Sequence, residues 1–308
     1  MKNGQIATVY ILGLGALGSL YAARLYDMDP ASVKIIADAN RITAFKQDGI
    51  IVNGKRYDFT YVSSDDEVPA PADLIIIAVK SHQLSSAIQD IKPFVGQDTV
   101  VISLLNGISS EEIIGAEIGM EHLLYAYGVG MDAVRMGNTV NYKFPGWIYF
   151  GEKRNEVYSE RVTAVKTLFE KADIPFKIPA DMQRALWAKF MMNVGINQAS
   201  AVLKAPYGVF QQNEEARKLM ITAANEVLSI GKKAGVGVDQ TDIDGFLGIV
   251  KGLNPAGKTS MLQDIEAGRK SELGIFAGQV IELGKKFDVP TPVNEALFNI
   301  ISAIETMN

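Results

Sequence analysis

The hydrophobic pattern predicts that the first half of the chain alternates strands with helices. Continuously apolar runs are typical of parallel strands that are covered on both faces. These runs span residues 8–12, 33–38, 74–79 and 99–105, with a helical pattern at residues 16–26. A β-hairpin centred on Asn53-Gly54 is predicted for residues 50–62. A further strand near the sheet edge is predicted for residues 140–150, with a turn at Pro145-Gly146.

From about Met182 onward the apolar residues recur at helical spacing. Helices are predicted for residues 182–200, 214–234 and 260–287, the last with a break near Gly268. Pro175 and Pro179 bracket the change, and 308 residues exceed the usual size of one domain. We therefore predict an α/β fold. An N-terminal Rossmann-like doubly wound sheet (residues 1–178) is followed by an all-α C-terminal domain (residues 179–308).

Composition and charge narrow the class of protein. A hydrophobic content of 48% with 21% charged residues is that of an ordinary globular chain. Apart from the glycine-containing run near the N-terminus, no apolar stretch approaches the length of a membrane span. The net charge of −5 argues against nucleic acid as a partner. Because there is no cysteine, disulfides, cysteine-ligated metals and a cysteine nucleophile are excluded, which fits a cytoplasmic protein without a metal site.

A glycine-rich loop at the end of the first predicted strand indicates dinucleotide binding. Gly13, Gly15 and Gly18, with Ala16 and Leu17 between them, connect that strand to the first predicted helix. The glycines permit a tight turn and close approach of the backbone to a pyrophosphate. The helix N-terminus adds free N–H groups and a positive dipole end.

Two residues after the second strand have opposite implications for the cofactor. Asp38 would accept hydrogen bonds from the adenosine ribose hydroxyls and favour NAD. Arg41 would neutralise a 2′-phosphate and favour NADP. In a purely structural alternative, Asp38 caps a helix that starts at Asn40 and Arg41 is solvated.

Polar residues also follow two later strands. In open α/β sheets, ligands bind outside the carboxyl ends of the strands. Lys80 follows one apolar run and Asn106 follows the next. Lys80 is therefore a candidate for the cofactor or a substrate carboxylate, and Asn106 for the nicotinamide ribose or the substrate.

A polar stripe marks the first helix of the second domain. Lys189, Asn193 and Asn197 recur every four residues, on a stripe about 80° wide. A solvent-exposed helix face is the usual explanation of such a stripe, but asparagine has a low helix propensity and gains nothing on an exposed face. Reduction of a ketone needs a proton donor at the oxygen. The chain has only two histidines, His82 and His122, and both lie outside this domain. Lys189 is therefore the candidate acid. We expect burial or neighbouring cations to lower its pKa toward the working pH.

A second polar segment lies further along the helical domain. Ser260 and Gln263 form a capping-box pattern, so a structural role for Ser260 is the alternative to ligand binding. Glu272 follows the break at Gly268. A carboxylate at this position would orient Lys189 or bind a substrate hydroxyl.

Five segments together resemble the ketopantoate reductase (2-dehydropantoate 2-reductase) family. They are GLGALG, AVKSHQ, LLNG, WAKFMMNVGIN and SMLQDIEAGRKSE, and they occur in order over nearly the whole chain. The resemblance implies an NAD(P)-dependent oxidoreductase that acts on the CH–OH group of donors. Its reaction would be the NADPH-dependent reduction of 2-dehydropantoate to (R)-pantoate in pantothenate biosynthesis. The resemblance also allows a homodimer.

The resemblance implies a role for each candidate residue. Lys189 would donate the proton, and Glu272 would assist catalysis or bind the substrate hydroxyl. The substrate would be held by Asn193, Asn197 and Ser260. Lys80 and Asn106 would join the cofactor side of the site.

Three residues depart from the family pattern. Asp38 stands where many members have a basic residue, so NAD stays open beside NADP. Gly257 and Tyr207 stand where asparagine is common, which affects the substrate pocket. An NADH-dependent D-2-hydroxyacid dehydrogenase of the same superfamily is therefore a second hypothesis. A non-catalytic dinucleotide sensor is a third, and the polar stripe argues against it.

Overall fold

The computed structural model describes residues 4–65 and 71–307, which form two compact units. The first unit contains the chain up to Leu105 and the segment Ser109–Met182. The second contains Asn106–Ile108 and the chain from Gln183 onward. The division therefore lies after Met182 rather than near residue 178. Residues 106–108, which the sequence assigns to the first domain, belong to the helical unit.

Most strands of the first unit form one large sheet. Within the described residues the strands are β1 (Val9–Leu12), β2 (Val33–Ile36), β3 (Ile50–Val52), β4 (Lys55–Tyr57), β5 (Thr60–Val62), β6 (Leu74–Ile77), β7 (Val100–Ser103), β8 (Leu123–Val129), β9 (Val134–Met136), β10 (Thr139–Asn141), β11 (Trp147–Gly151) and β12 (Phe176–Lys177). The large sheet has the order β12-β11-β8-β7-β6-β1-β2-β5. Its run from β5 to β8 is parallel and has the 3-2-1-4-5-6 order of a Rossmann fold.

The register of the central strands brings three loops to one edge of the sheet. Leu12, the last residue of β1, pairs with Ile36 of β2 and Ile77 of β6. β1, β6 and β7 are buried at every position, as their apolar sequences predict. The glycine loop after β1 and the polar residues after β2 and β6 therefore share the carboxyl edge, where ligands of open α/β sheets bind.

A second, four-stranded sheet has the order β4-β3-β10-β9. The predicted hairpin is confirmed for β3 and β4, and Asn53 and Gly54 have the positive φ angles (48° and 81°) that a two-residue type I′ turn requires. It is shorter than predicted, because β5 leaves it and pairs with β2.

The prediction of one strand over residues 140–150 is wrong. The chain divides there into β10, in the small sheet, and β11, which lies beside the edge strand β12 of the large sheet. Pro145-Gly146 separates them, and Gly146 has a φ of +68°. The turn itself was predicted, but the apolar residues on its two sides gave no sign that they belong to different sheets.

The α-helices are divided between the units. The described residues contain α1 (Ala16–Met28), α2 (Ala39–Asp48), α3 (Leu84–Ile91), α4 (Ser110–Ile118), α5 (Glu160–Lys171), α6 (Met182–Leu203), α7 (Tyr207–Gln212), α8 (Glu214–Lys233), α9 (Gln240–Gly252), α10 (Ser260–Glu266), α11 (Ala277–Phe287) and α12 (Pro292–Met307). The predicted helix over residues 260–287 is interrupted. α10 ends before Gly268, whose φ is +63°, and a 3₁₀ turn at Leu273–Ile275 precedes α11.

Each unit has its own hydrophobic core. In the first unit, separate clusters of buried residues form around the alternating side chains of the central strands, so both faces of the sheet are covered. In the second unit the core is built around α6, with Phe190, Met191 and Val194 nearly inaccessible. Over the described residues, no helix combines the length and the apolar character needed to cross a membrane.

Candidate active site

The glycine loop has the geometry of a phosphate cradle. Gly13 has a φ of +99°, and a Cβ there would lie 2.7 Å from the Ala78 carbonyl oxygen. A Cβ on Gly18 would overlap the Gly13 carbonyl group. Gly15 differs, because its nearest neighbour would be the Ala78 oxygen at 3.9 Å, so the space above it is open. This space fits the close approach of a dinucleotide pyrophosphate.

The first turn of α1 adds hydrogen-bond donors to this cradle. Gly15 is the N-cap, and no described side chain caps the helix. Ala16 and Leu17 occupy the first two helical positions and are partly exposed. Because the first backbone N–H groups of a helix have no partner within it, they are available to phosphate oxygens.

Asp38 and Arg41 are bound to each other beside this loop. Asp38 is the N-cap of α2, and its Oδ1 accepts a hydrogen bond from the Arg41 backbone N–H at 2.9 Å. Its Oδ2 lies 3.3 Å from Arg41 Nε. The capping alternative is therefore supported, although α2 begins at Ala39 rather than Asn40. The ion pair partly cancels the repulsion that Asp38 would exert on a 2′-phosphate.

Lys80 lies at the same edge, three residues after β6. It begins a short 3₁₀ turn, in which its backbone N–H donates to Gln83 Oε1 at 3.2 Å. The first unit thus brings together the glycine loop, Asp38, Arg41 and Lys80. Asn106 belongs to the other unit.

In the second unit, three predicted site residues form one hydrogen-bonded chain. Lys189 Nζ donates to Asn106 Oδ1 at 3.1 Å. Asn106 Nδ2 donates to Glu272 Oε2 at 2.8 Å. The Asn106 amide therefore links Glu272 to Lys189 through two hydrogen bonds. The amide presents its acceptor to the cation and its donor to the carboxylate, so it complements the charge of both groups.

Neighbouring residues hold Glu272 and Asn106 in place. Ser271, immediately before Glu272, donates its backbone N–H to Glu305 Oε1 on α12 at 2.8 Å. On the Asn106 side, Gly107 has a φ of +95° and lies against Ile275, to which an added Cβ would come within 3.5 Å. Glu272 itself is only 6% exposed. These contacts restrict the positions of both Asn106 and Glu272.

The rest of the polar stripe on α6 is buried. Asn193 and Asn197 are 8% and 7% exposed, which excludes the solvated-face explanation. Both lie on the same helix face as Lys189, which is partly exposed. Buried amides normally require hydrogen-bond partners, and no described protein group bonds to either side chain. They are therefore available to a ligand.

Ser260 is not the helix cap that the sequence suggested. Thr259 is the N-cap of α10, and its Oγ1 accepts from the Leu262 N–H at 3.1 Å. Ser260 is the first helical residue and is exposed, whereas Thr259 is 1% exposed. The capping explanation for Ser260 is wrong, and its hydroxyl is left for another partner.

This difference predicts unequal losses of stability in two matched variants. Thr259→Ala removes the cap and is expected to lower the free energy of unfolding by about 1 kcal/mol. Ser260→Ala is expected to change it by less than about 0.5 kcal/mol. Urea denaturation of both variants measures the difference, and equal losses would contradict the assignment of the cap.

Tyr207 and Gly257, the two departures from the family pattern, are in contact. The Tyr207 backbone N–H donates to the Gly257 carbonyl at 2.9 Å, and a Cβ on Gly257 would lie 3.0 Å from Tyr207 Cδ2. An asparagine at position 257 would crowd both this ring and the Asn254 carbonyl oxygen, which would also lie 3.0 Å from the added Cβ. Burial raises the pKa of the Tyr207 phenol, which keeps its hydroxyl protonated.

Arg135 is a candidate that the sequence did not reveal. It lies on β9, and its Nη1 donates to the carbonyl oxygen of Leu14 in the glycine loop. An arginine on a short strand of mixed polarity carries no motif. The two residues are 121 positions apart, so only the fold brings them together.

Comparisons with known proteins cover both units. A family model described as ketopantoate reductase PanE/ApbA matches residues 9–155, and its C-terminal counterpart matches residues 181–305. A 2-dehydropantoate 2-reductase of Aquifex aeolicus is 26% identical over 97% of each chain. Among solved structures, D-mandelate dehydrogenase with NADH superposes with a TM-score of 0.86 at 23% identity, covering 97% of this chain and 99% of that one. A dimeric ketopantoate reductase from Staphylococcus aureus superposes with a TM-score of 0.81 at 21% identity, with 97% and 99% covered.

Proposed function

The chain belongs to the ketopantoate reductase PanE/ApbA family of oxidoreductases, and on that premise we propose that it reduces 2-dehydropantoate to (R)-pantoate with NADPH. The hydrogen-bonded chain Lys189–Asn106–Glu272 carries the proposal. It supplies a cation, an amide and a carboxylate within one unit. The glycine loop of the other unit provides the dinucleotide cradle.

In this proposal Lys189 protonates the substrate oxygen. A bound nicotinamide would supply the hydride that C2 of the 2-oxo acid receives, and negative charge would then develop on the carbonyl oxygen. A lysine ammonium group stabilises that charge and donates its proton to it. Asn106 Oδ1 fixes the direction of the ammonium group through the 3.1 Å hydrogen bond. Pre-oriented donors of this kind act without reorganisation during the reaction.

The other polar residues of the second unit would bind the substrate. Asn193 and Asn197 would donate their amide N–H groups to the carboxylate or carbonyl oxygens of the 2-oxo acid, and the Ser260 hydroxyl would add a donor. Glu272, an acceptor, would take the hydrogen bond of the substrate hydroxyl. An uncharged set of donors beside one cation fits a small monoanionic acid.

A second candidate substrate is a 2-oxo acid with a bulkier apolar substituent. Tyr207 fills the space of an asparagine at 257 with an aromatic ring, and Gly257 precedes Ser260 by only three residues. Three residues span at most about 11 Å, so the ring lies close to a proposed substrate contact. A protein of similar fold, D-mandelate dehydrogenase, is named for a substrate of this kind. This observation favours a D-2-hydroxyacid dehydrogenase as the alternative.

A matrix of kcat/KM values tests the two candidates. NADPH and NADH are each combined with 2-dehydropantoate and with benzoylformate, since the ratio of kcat/KM values measures discrimination directly. The proposed function predicts the highest value for NADPH with 2-dehydropantoate. A strong preference for NADH with benzoylformate would favour the alternative. Cofactor binding without consumption across a broad panel of 2-oxo acids would support a dinucleotide sensor.

A double variant tests whether Tyr207 and Gly257 together select the substrate. Gly257→Asn alone is expected to lower stability, because its side chain meets the Tyr207 ring. Tyr207→Asn with Gly257→Asn removes the ring and introduces two amides. We expect the ratio of kcat/KM for 2-dehydropantoate over benzoylformate to rise about tenfold, the effect of about 1.4 kcal/mol. An unchanged ratio in a folded double variant would show that this pair does not select the substrate.

We further propose a homodimer as the working assembly. The support is the Staphylococcus aureus relative, which is described as dimeric. Light scattering of the purified chain at micromolar concentration tests this point, and a mass near that of the 33.5 kDa monomer would contradict it.

A further inference from the structure

We infer that Arg135 is a second phosphate-binding arginine, which together with Arg41 recognises the 2′-phosphate of NADP. The inference rests on the proposed NADP(H) dependence and adds a residue from a separate sheet to the cofactor site. All the groups that carry it belong to the first unit.

The small sheet delivers Arg135 to the glycine loop. β9 pairs with β10, which places Val140 opposite Arg135, and β10 pairs in turn with β3. From this position the guanidinium donates through Nη1 to the Leu14 carbonyl and through Nε to the Gly137 carbonyl at 2.8 Å. The side chain is therefore held at the loop by two backbone acceptors.

Arg41 approaches the same region from the large sheet. It lies in the first turn of α2, and the carboxyl ends of β1 and β2 are adjacent, because Leu12 pairs with Ile36. The charge of Arg41 lowers the pKa of Arg135, after burial as the larger cause. Arg135, which is bonded to Leu14 just after β1, and Arg41, just after β2, therefore lie at the ends of two neighbouring strands.

The charges around this pair are not balanced within the protein. Arg41 faces Asp38, with Nε 3.3 Å from Oδ2. Arg135 has only carbonyl partners, and no carboxylate of the described residues lies within salt-bridge distance of it. A phosphate dianion between the guanidinium groups would remove the repulsion and use the remaining N–H donors, which match phosphate oxygens in pairs.

Arg135 also borders open space that a ligand can enter. A cleft of about 470 Å³ is lined by Arg135 together with Phe45, Asp48 and Asn138, among others. Asp48 also lines this cleft; it lies at the opposite end of α2 from Arg41, about 10 Å along the helix axis. Because Arg135 lines this cleft, the N–H donors that it does not use on Leu14 and Gly137 have room for a ligand.

The test compares two small nucleotides that differ by the 2′-phosphate alone. Isothermal titration calorimetry measures the Kd of 2′,5′-ADP and of 5′-AMP for the full-length protein, without any 2-oxo acid. We expect Arg135→Met to weaken 2′,5′-ADP binding about tenfold to hundredfold, the usual worth of a hydrogen bond to a charged group, and to change 5′-AMP binding less than about twofold. Arg56→Met, on β4 of the same small sheet, is the matched control and is expected to change neither.

Each other outcome overturns the inference in a distinct way. Equal weakening of both nucleotides would mean that Arg135 acts by shaping the glycine loop through Leu14. No change in Arg135→Met, with wild-type protein still preferring 2′,5′-ADP, would remove Arg135 while leaving the proposed NADP(H) dependence intact. No preference in the wild-type protein would refute both. Because neither nucleotide is a substrate of the reduction, these results do not depend on which 2-oxo acid is used.

Discussion

Replacement of Lys189 by methionine is expected to lower kcat by about 10²–10⁴-fold, the usual contribution of a general acid. Methionine keeps the length and apolar stem of the side chain but has no proton to donate. It also breaks the hydrogen bond to Asn106 Oδ1. Because the variant leaves the glycine loop, Asp38 and Arg41 unchanged, NADPH affinity is expected to stay the same.

Stopped-flow measurement of NADPH oxidation at saturating substrate gives kcat, and calorimetry gives NADPH affinity in the same variant. The matched control is Lys204→Met, a lysine that follows the same helix and is exposed. It is expected to keep kcat within about twofold. Wild-type turnover in the Lys189 variant would remove this residue from the mechanism.

Gly15→Val is the second change with a large expected effect, and it acts on cofactor binding. Gly15 has an ordinary φ of −69°, and a Cβ there meets no protein atom closer than 3.9 Å. The variant is therefore expected to fold. Its side chain would occupy the space that the pyrophosphate needs and would separate the phosphates from the α1 N-terminus. We expect NADPH affinity to fall about 10²-fold, as for the loss of one or two charge-assisted hydrogen bonds.

Calorimetric titration with NADPH measures this loss, and thermal unfolding shows whether the variant is folded. Gly245→Val is a control of the same chemical change, because Gly245 is exposed on α9 and an added Cβ meets nothing within 4 Å. A folded Gly15→Val protein with undiminished NADPH affinity would show that the loop does not hold the pyrophosphate.

The glycine loop and the central strands were predictable because their signals are local. Each buried strand shows a continuous apolar run, and the glycine spacing lies within six residues of one turn. The family resemblance read from five motifs is confirmed by the two family models. The Rossmann-like α/β fold with a helical second half is confirmed as well.

Features that depend on distant contacts were not predictable in the same way. Asn106 was predicted at the end of a strand of the first domain, but it belongs to the second unit and links Lys189 to Glu272. These partners are 83 and 166 residues away in sequence. No local periodicity encodes such a bridge. The contact between Tyr207 and Gly257 is of the same kind.

Competition between neighbouring residues explains the errors in local detail. Thr259 and Ser260 are both good N-cap residues, and the sequence pattern selected the wrong one because Gln263 completed a capping box with Ser260. At Asp38 the cap and the ion pair with Arg41 coexist. The charge of a residue after the second strand therefore does not decide between NAD and NADP until its partner is known.

Transfer of a labelled hydride from NADPH to the product distinguishes the proposed reductase from a protein that only binds the cofactor. The protein is incubated with 2-dehydropantoate and with NADPH that is deuterated at the transferred C4 position. The product is separated on a chiral column, and its mass is measured by mass spectrometry. We expect (R)-pantoate that carries deuterium at C2, formed by the wild-type protein and about 10²–10⁴-fold more slowly by Lys189→Met. Bound NADPH with no deuterated hydroxy acid, or equal rates of formation by the two proteins, would contradict it.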